Sequence, residues 1–214
     1  MSDRVGYVRS LFAREDVGLQ GIRVGLKAAG IPDTSVPPEV GKFLFLLVRM
    51  MQPQRVLELG TLGGYSTLWM ARALPPGGHI WSVDKIGVRI DLARRAMDVA
   101  GLSDRVTFCK AMAGEYMERC LRENLSFEFF FIDADKGSHL HYMEMAYRLG
   151  CPGALVIVDN LLSKGVLCQG GGQRLFARSI RSFNQSVATD DRWDGMILPF
   201  ADGIGMFHLR TIGG

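Results

Sequence analysis

Four residues stand just after two apolar runs, where their side chains could act on one ligand. Asp133 and Lys136 follow Phe129-Phe-Phe-Ile132, and Asp159 and Asn160 follow Val156-Ile-Val158. Both runs read as buried strands, and in a parallel sheet ligands gather at the carboxyl ends of the strands. If the two strands are neighbours, two carboxylates and an amide oxygen converge on one point. Such an all-oxygen set suits magnesium, calcium or manganese, and three protein ligands leave positions for water and substrate. Lys136, three residues beyond Asp133, can point into the same cleft. An ammonium beside a divalent cation has a depressed pKa, which lets it serve as a general base. Asp135 reads instead as a helix N-cap. His139 and His141, two residues apart, would face nearly opposite sides of a helix and read as structural or rim residues.

A second constellation lies earlier in the chain. Glu58-Leu-Gly-Thr-Leu-Gly-Gly-Tyr-Ser66 follows the first strand pattern and opens a helix. Its glycines allow a sharp turn and close approach of a ligand to the backbone. Gly60, Gly63 and Gly64 do not fit the dinucleotide spacing G-x-G-x-x-G, and the carboxylate of Glu58 is awkward beside a pyrophosphate. A cationic ligand suits it better. Asp84 closes the next strand, where an acid can hold both hydroxyls of a ribose. A nucleoside carrying positive charge and no phosphate describes S-adenosylmethionine.

The elements that must position these residues follow from the patterning. Short β-branched or aromatic runs (Arg55–Leu59, His79–Val83, Val106–Cys109, Phe127–Ile132, Ala154–Val158) alternate with helical patterns at 64–73, 87–100, 114–122 and 138–150. Strands separated by helices imply right-handed crossovers and a parallel sheet covered on both faces. Residues 3–29 read as one or two short helices, and Pro37-Pro38 begins a helix through Met51 whose apolar residues lie on most faces, the mark of a buried helix. Met50, Met51 and Trp69 read as core. After Asn160 a glycine-rich loop (Gly170–Gly172) leads into a helix near 173–187, and 193–198 with 203–209 form a hairpin that adds an antiparallel edge. The expected fold class is α/β, a Rossmann-like doubly wound, mostly parallel sheet with N-terminal helices and a C-terminal antiparallel hairpin. The domain reading is one unit over 1–214, with a helical segment at 1–35 and the core at 36–214.

Composition narrows the class. With 214 residues, 48% of them hydrophobic, and a net charge of +3, the chain can bury about 70% of its unfolded surface without staples and does not read as disordered. The four cysteines (Cys109, Cys120, Cys151, Cys168) form no C-x-x-C pair, which fits a reducing, cytoplasmic setting. No signal peptide is visible, and the longest apolar run, Phe43–Val48, is far short of the roughly 20 residues of a membrane helix.

The residues together resemble the cation-dependent class I O-methyltransferases, the group of caffeoyl-CoA and catechol O-methyltransferases and their bacterial relatives. The resemblance runs from about Val36 to Leu209. It is carried by Val36-Pro-Pro-Glu-Val-Gly-Lys-Phe-Leu44, Leu57-Glu-Leu-Gly-Thr-Leu-Gly-Gly-Tyr-Ser66, Ser82-Val-Asp84, Phe131-Ile-Asp-Ala-Asp-Lys136, Val158-Asp-Asn160 and Leu198-Pro-Phe-Ala-Asp-Gly203. It implies that Glu58, Gly60, Thr61, Ser66, Asp84, Ala113 and Asp133 line the S-adenosylmethionine site, with Val36 covering it. It implies Asp133, Asp159 and Asn160 as metal ligands and Lys136 as the base. Two departures stand out: Met112 replaces an acid common before the alanine at the adenine pocket, and the 161–174 loop, which would shape the acceptor pocket, is unusually rich in glycine.

The expected activity is therefore transfer of methyl from S-adenosylmethionine, with Mg2+ (or Ca2+/Mn2+), to a hydroxyl of a catechol-like or vicinal-diol small molecule. The resemblance also implies a homodimer, to which the 43–51 helix and the C-terminal hairpin can contribute. A competing acceptor is a hydroxylated uridine in tRNA, allowed by a pI of 8.7. Against nucleic acid, Arg89, Arg94, Arg95 and Arg105 are mixed with Asp91, Asp98 and Asp104 rather than gathered into a stripe. An NAD-type oxidoreductase is disfavoured by the missing fingerprint, and a non-catalytic S-adenosylmethionine-binding protein by the intact metal set.

Overall fold

The computed structural model describes residues 4–162 and 175–210. Cys168, the Gly170–Gly172 loop and most of the 161–174 acceptor loop lie outside the described residues. Three helices come first, α1 (Arg4–Phe12), α2 (Val17–Ala28) and α3 (Pro38–Met51). Alternation then begins with β1 (Arg55–Leu59), α4 (Tyr65–Ala71), β2 (His79–Asp84), α5 (Gly87–Ala100), β3 (Val106–Lys110), α6 (Ala113–Arg122), β4 (Phe127–Ile132), α7 (His139–Leu149) and β5 (Gly150–Val158). The chain ends with α8 (Leu175–Ala188), β6 (Trp193–Leu198) and β7 (Ile204–Leu209). Among the described residues no helix is long and apolar enough to cross a membrane. These residues form two compact units, Met1–Gln54 with Thr61–Ala111, and Arg55–Gly60 with Met112–Gly214.

In the first unit β2 and β3 pair in parallel, from Ile80 opposite Val106 to Asp84 opposite Lys110. Helix α2 starts where Asp16 accepts from the Leu19 N–H at 3.0 Å, the side-chain cap that satisfies an orphan donor. Its buried stripe of Leu19, Ile22 and Leu26 meets α4 and α5. Helix α3 starts at Pro38 behind extended Pro37, as a proline-led helix should. Its burial departs from the expectation. Val40, Leu44, Leu47 and Val48 are buried, but Leu46 is 45% and Met50 72% exposed. The helix presents one face to the core and leaves apolar side chains on the other, so Met50 is not a core residue. Trp69 is buried, as expected.

In the second unit the strand order is β1-β4-β5-β7-β6. The first three are parallel, whereas β7 runs antiparallel to both β5 and β6. Phe127, Phe129, Phe130 and Phe131 fill its core. The register aligns Leu59 with Ile132 and Ile132 with Val158, so Gly60, Asp133 and Asp159 leave three adjacent strands at one level. Strand β5 begins at Gly150 rather than Ala154. Phe127 pairs Gly150 and Phe129 already pairs Leu155, so the intervening residues of β5 bulge out, with Gly153 at a φ of 79°.

Candidate active site

The strand register brings three of the four sequence-predicted acceptor-side residues to one place and the turn after β4 adds the fourth. The Asp133 N–H bonds the Leu59 carbonyl at 2.9 Å, and the Asp159 N–H bonds the Ile132 carbonyl at 3.1 Å. Each acid is thereby fixed as the continuation of its strand. The chain turns at Asn160, whose φ is 65°, a left-handed conformation that asparagine tolerates better than most residues. Its N–H donates to Asp159 Oδ1 at 2.7 Å. Lys136 lies in a short 3-10 turn, Lys136–Ser138. Its Nζ donates to Asn160 Oδ1 and stands 4.0 Å from Asp133 Oδ1. Asp135 stands at the N-cap of that turn and accepts from the Ser138 hydroxyl at 2.8 Å, but its side chain makes no capping bond to a backbone N–H.

Burial and neighbouring negative charge set the electrostatics of this cluster. Burial, and then the negative charge of Asp133, push the Asp159 carboxyl well above the usual carboxylate range. Burial raises Asp133 as well, against the pull of Lys136. Asp202, in the β6–β7 turn, adds further negative potential at Asp159. A buried Asp159, a partly buried Asp133, an amide oxygen and a single ammonium form an oxygen-rich set. That set fits a hard divalent cation. Among the described residues no group of three or more His, Cys, Asp or Glu side chains is placed to hold a metal ion, so a third protein oxygen beside Asp133 and Asp159 would come from the Asn160 amide.

The S-adenosylmethionine candidates divide between the units. In the second, Glu58 is fully buried on β1, and Ala113 is the first residue of α6 behind a half-exposed Met112. Gly60 has a φ of 103°, and a Cβ there would stand 2.2 Å from the Asp133 carbonyl oxygen. Only glycine fits. In the first unit, Asp84 is buried and accepts from the N–H groups of Leu62 at 3.0 Å and Ile86 at 2.9 Å. Arg89 approaches it to 3.7 Å. Thr61 is buried with its hydroxyl 2.7 Å from that of Ser82, so its side chain is held by the protein and its backbone is what a ligand could meet. Ser66 is buried in the first turn of α4. Val36 is buried too, and its carbonyl accepts from Arg23 at 3.3 Å.

Two features escaped the sequence reading. Asp84 is a backbone organiser as well as a ribose candidate, because it holds Leu62 at a φ of 46°. The acid after β2 signalled a ligand but not this loop-building bond. The other is a polar cluster around Arg23, built from residues that share no motif. His139 and His141 fall as read, one buried and one exposed. Of the basic residues considered for nucleic acid, Arg105 donates to the carbonyls of Gly78 and Pro75, whereas Arg94 pairs with Asp91 at 3.5 Å on the exposed surface.

Known proteins resemble this arrangement over most of its length. A catechol O-methyltransferase from Niastella koreensis is 35% identical over 193 residues, 90% of this chain and 87% of its own. A caffeoyl-CoA O-methyltransferase from Populus kitakamiensis is 29% identical over 92% of this chain and 88% of its own. The solved O-methyltransferase from Bacillus cereus in complex with SAH superposes with a TM-score of 0.90 at 33% identity, over 96% of both chains. The fold is accordingly the Rossmann-like, doubly wound α/β fold with C-terminal antiparallel strands. With residues 14–210 also matching the family model described as O-methyltransferase, the chain belongs to that family and is an S-adenosylmethionine-dependent O-methyltransferase.

Proposed function

We propose that this O-methyltransferase requires a divalent cation and methylates a hydroxyl of a catechol-like or vicinal-diol small molecule. The observation that carries the reading is the emergence of Asp133 and Asp159 from adjacent, registered strands, with Asn160 and Lys136 bonded to each other beside them. In this reading Val36, Glu58, Gly60, Thr61, Ser66, Asp84, Ala113 and Asp133 bind S-adenosylmethionine, and Asp133, Asp159 and Asn160 hold Mg2+, Ca2+ or Mn2+. When bound, the cation lowers the pKa of an adjacent hydroxyl and S-adenosylmethionine supplies an electrophilic methyl. Lys136, having first released a proton to solvent, would take the hydroxyl proton on its neutral Nζ, and its bond to Asn160 keeps that atom within reach. The strand-end backbone bonds of Asp133 and Asp159 fix both acids before the acceptor arrives, so that alignment supplies much of the rate. A vicinal pair of oxygens is favoured because a single hydroxyl chelates poorly.

A small-molecule acceptor is preferred over tRNA because Arg89, Arg94, Arg95 and Arg105 are interspersed with Asp91, Asp98 and Asp104 rather than gathered into a stripe. The same proposal takes the working molecule as a homodimer, since α1 and α3 leave Tyr7, Leu11, Phe12, Leu46 and Met50 exposed.

The test is a mass-spectrometric screen for addition of one methyl to catechols, hydroxycinnamoyl esters and hydroxylated tRNA nucleosides, with magnesium or with chelator. Catechol-type acceptors should be methylated only with the cation, and Asp159→Ala should lower metal affinity by at least about 100-fold. Turnover that survives both chelation and Asp159→Ala would remove the cation from the proposal, and a preference for tRNA would replace its acceptor.

A further inference from the structure

One side chain of the first unit uses every face it has. Arg23, on α2, directs Nε to Glu15 Oε1 at 2.6 Å, Nη1 to Asp33 Oδ2 at 2.6 Å and Nη2 to the Val36 carbonyl at 3.3 Å. Its guanidinium plane lies over the Tyr65 ring, 4.3 Å from the centroid. Tyr65 in turn donates its hydroxyl proton to the same Glu15 oxygen at 2.8 Å. Three stretches distant in sequence meet here: the entry to α2, the 29–37 connection and the first residue of α4.

What those stretches carry gives the cluster its meaning. The 29–37 connection has no helix or strand of its own. It turns at Gly30 with a φ of 67° and again at Asp33, which accepts from the Ser35 N–H at 3.1 Å. It ends at Val36. Tyr65 is the residue between the left-handed Gly64 N-cap and Ser66, so fixing its ring fixes the start of α4. The fork and the ring contact both need a planar guanidinium, which lysine cannot replace. Two acids facing one cation keep the arginine charged, and the Arg23 charge helps hold Asp33 below the usual carboxylate range.

We propose that Arg23 is a positioning residue for S-adenosylmethionine: it fixes the Val36 backbone and the first turn of α4 in their binding arrangement before the ligand arrives. The inference rests on the reading above that Val36, Thr61, Ser66 and Asp84 bind S-adenosylmethionine. Without Arg23 the connection and the turn have to be ordered at the moment of binding, and that cost appears as weaker binding.

The test is calorimetric titration of S-adenosylhomocysteine into the wild type and Arg23→Gln, Arg23→Lys and Asp84→Asn, with urea unfolding of each. Arg23→Gln should weaken binding by about ten-fold or more, the effect of losing hydrogen bonds to a charged group. Arg23→Lys keeps the charge between Glu15 and Asp33 but loses the fork. Its unfolding midpoint should return close to that of the wild type while its Kd stays raised, a split that a purely structural ion pair would not give. If Arg23→Gln does not fold, Asp33→Asn and Arg23→Lys carry the same comparison. An unchanged Kd in the arginine variants, or full recovery of both quantities by lysine, overturns the proposal. If Asp84→Asn loses affinity while the arginine variants do not, this inference fails alone; if Asp84→Asn also binds normally, the binding-site reading fails with it.

Discussion

The imidazole of His139 is buried edge-on against the Phe183 ring, with 5.3 Å between centroids. Among the described residues neither of its nitrogens has a hydrogen-bond partner. Burial, helped by the positive charge of Lys136, pushes its pKa down to about 4. The unfolded chain therefore takes up a proton near the ordinary histidine value, whereas the folded chain resists until about pH 4. Stability is unaffected by this group above roughly pH 6.5 and falls as the pH drops from there, by a total on the order of 3 kcal/mol. Urea unfolding at neutral and mildly acidic pH should show that loss, and His139→Phe should reduce it. An identical pH dependence in the variant would count against the assignment. The sequence placed His139 as structural, but its unpaired burial depends on Phe183, far along the chain and visible only in the fold.

At the scale of elements, glycines report how closely helices approach. Gly41 on α3 faces Trp69 on α4, and a Cβ there would lie 2.3 Å from the indole. Alanine would improve helix propensity by about 1 kcal/mol, yet overpacking a buried contact costs about 1–3 kcal/mol. Trp69 is buried and has little room to yield, so Gly41→Ala should be destabilising overall. Gly21 on α2 has nothing within 4 Å of its missing Cβ, and Gly21→Ala should stabilise by about 0.5–1 kcal/mol. Thermal unfolding of the two variants checks the opposite signs. Most elements could be read from the sequence because β-branched and aromatic runs, proline starts and glycine ends agree locally. The early part of β5 could not, because Pro152 and Gly153 argue against a strand and only pairing with β4 makes one. The exposed face of α3 escaped for a related reason: a helix apolar on most sides does not say which side finds a partner.

For the whole molecule, binding S-adenosylhomocysteine should raise the unfolding temperature. At a ligand concentration 100 times Kd the gain is about 2.7 kcal/mol, or roughly 5–11 °C for a chain of this size. NADH should leave it unchanged, since the loop lacks the dinucleotide spacing. A larger shift with NADH would contradict the choice of ligand. The acids and glycines proposed to bind donor and cation were legible because local motifs carry them. The Arg23 cluster was not, since Glu15, Arg23, Asp33 and Tyr65 span fifty positions and acquire meaning only when folding joins them.

The contact between Gly60 and the Asp133 carbonyl has a consequence for how such an enzyme can change. Any side chain at position 60 would displace the backbone that carries the acid. The backbone at the residue proposed to face the methyl donor thus rests against the backbone of the one proposed to hold the cation, and position 60 cannot drift from glycine without moving that acid. Selection for a new acceptor, natural or in the laboratory, must leave this contact alone and work on surrounding residues. Libraries that spare positions 60 and 133 should retain far more active members than libraries that vary them.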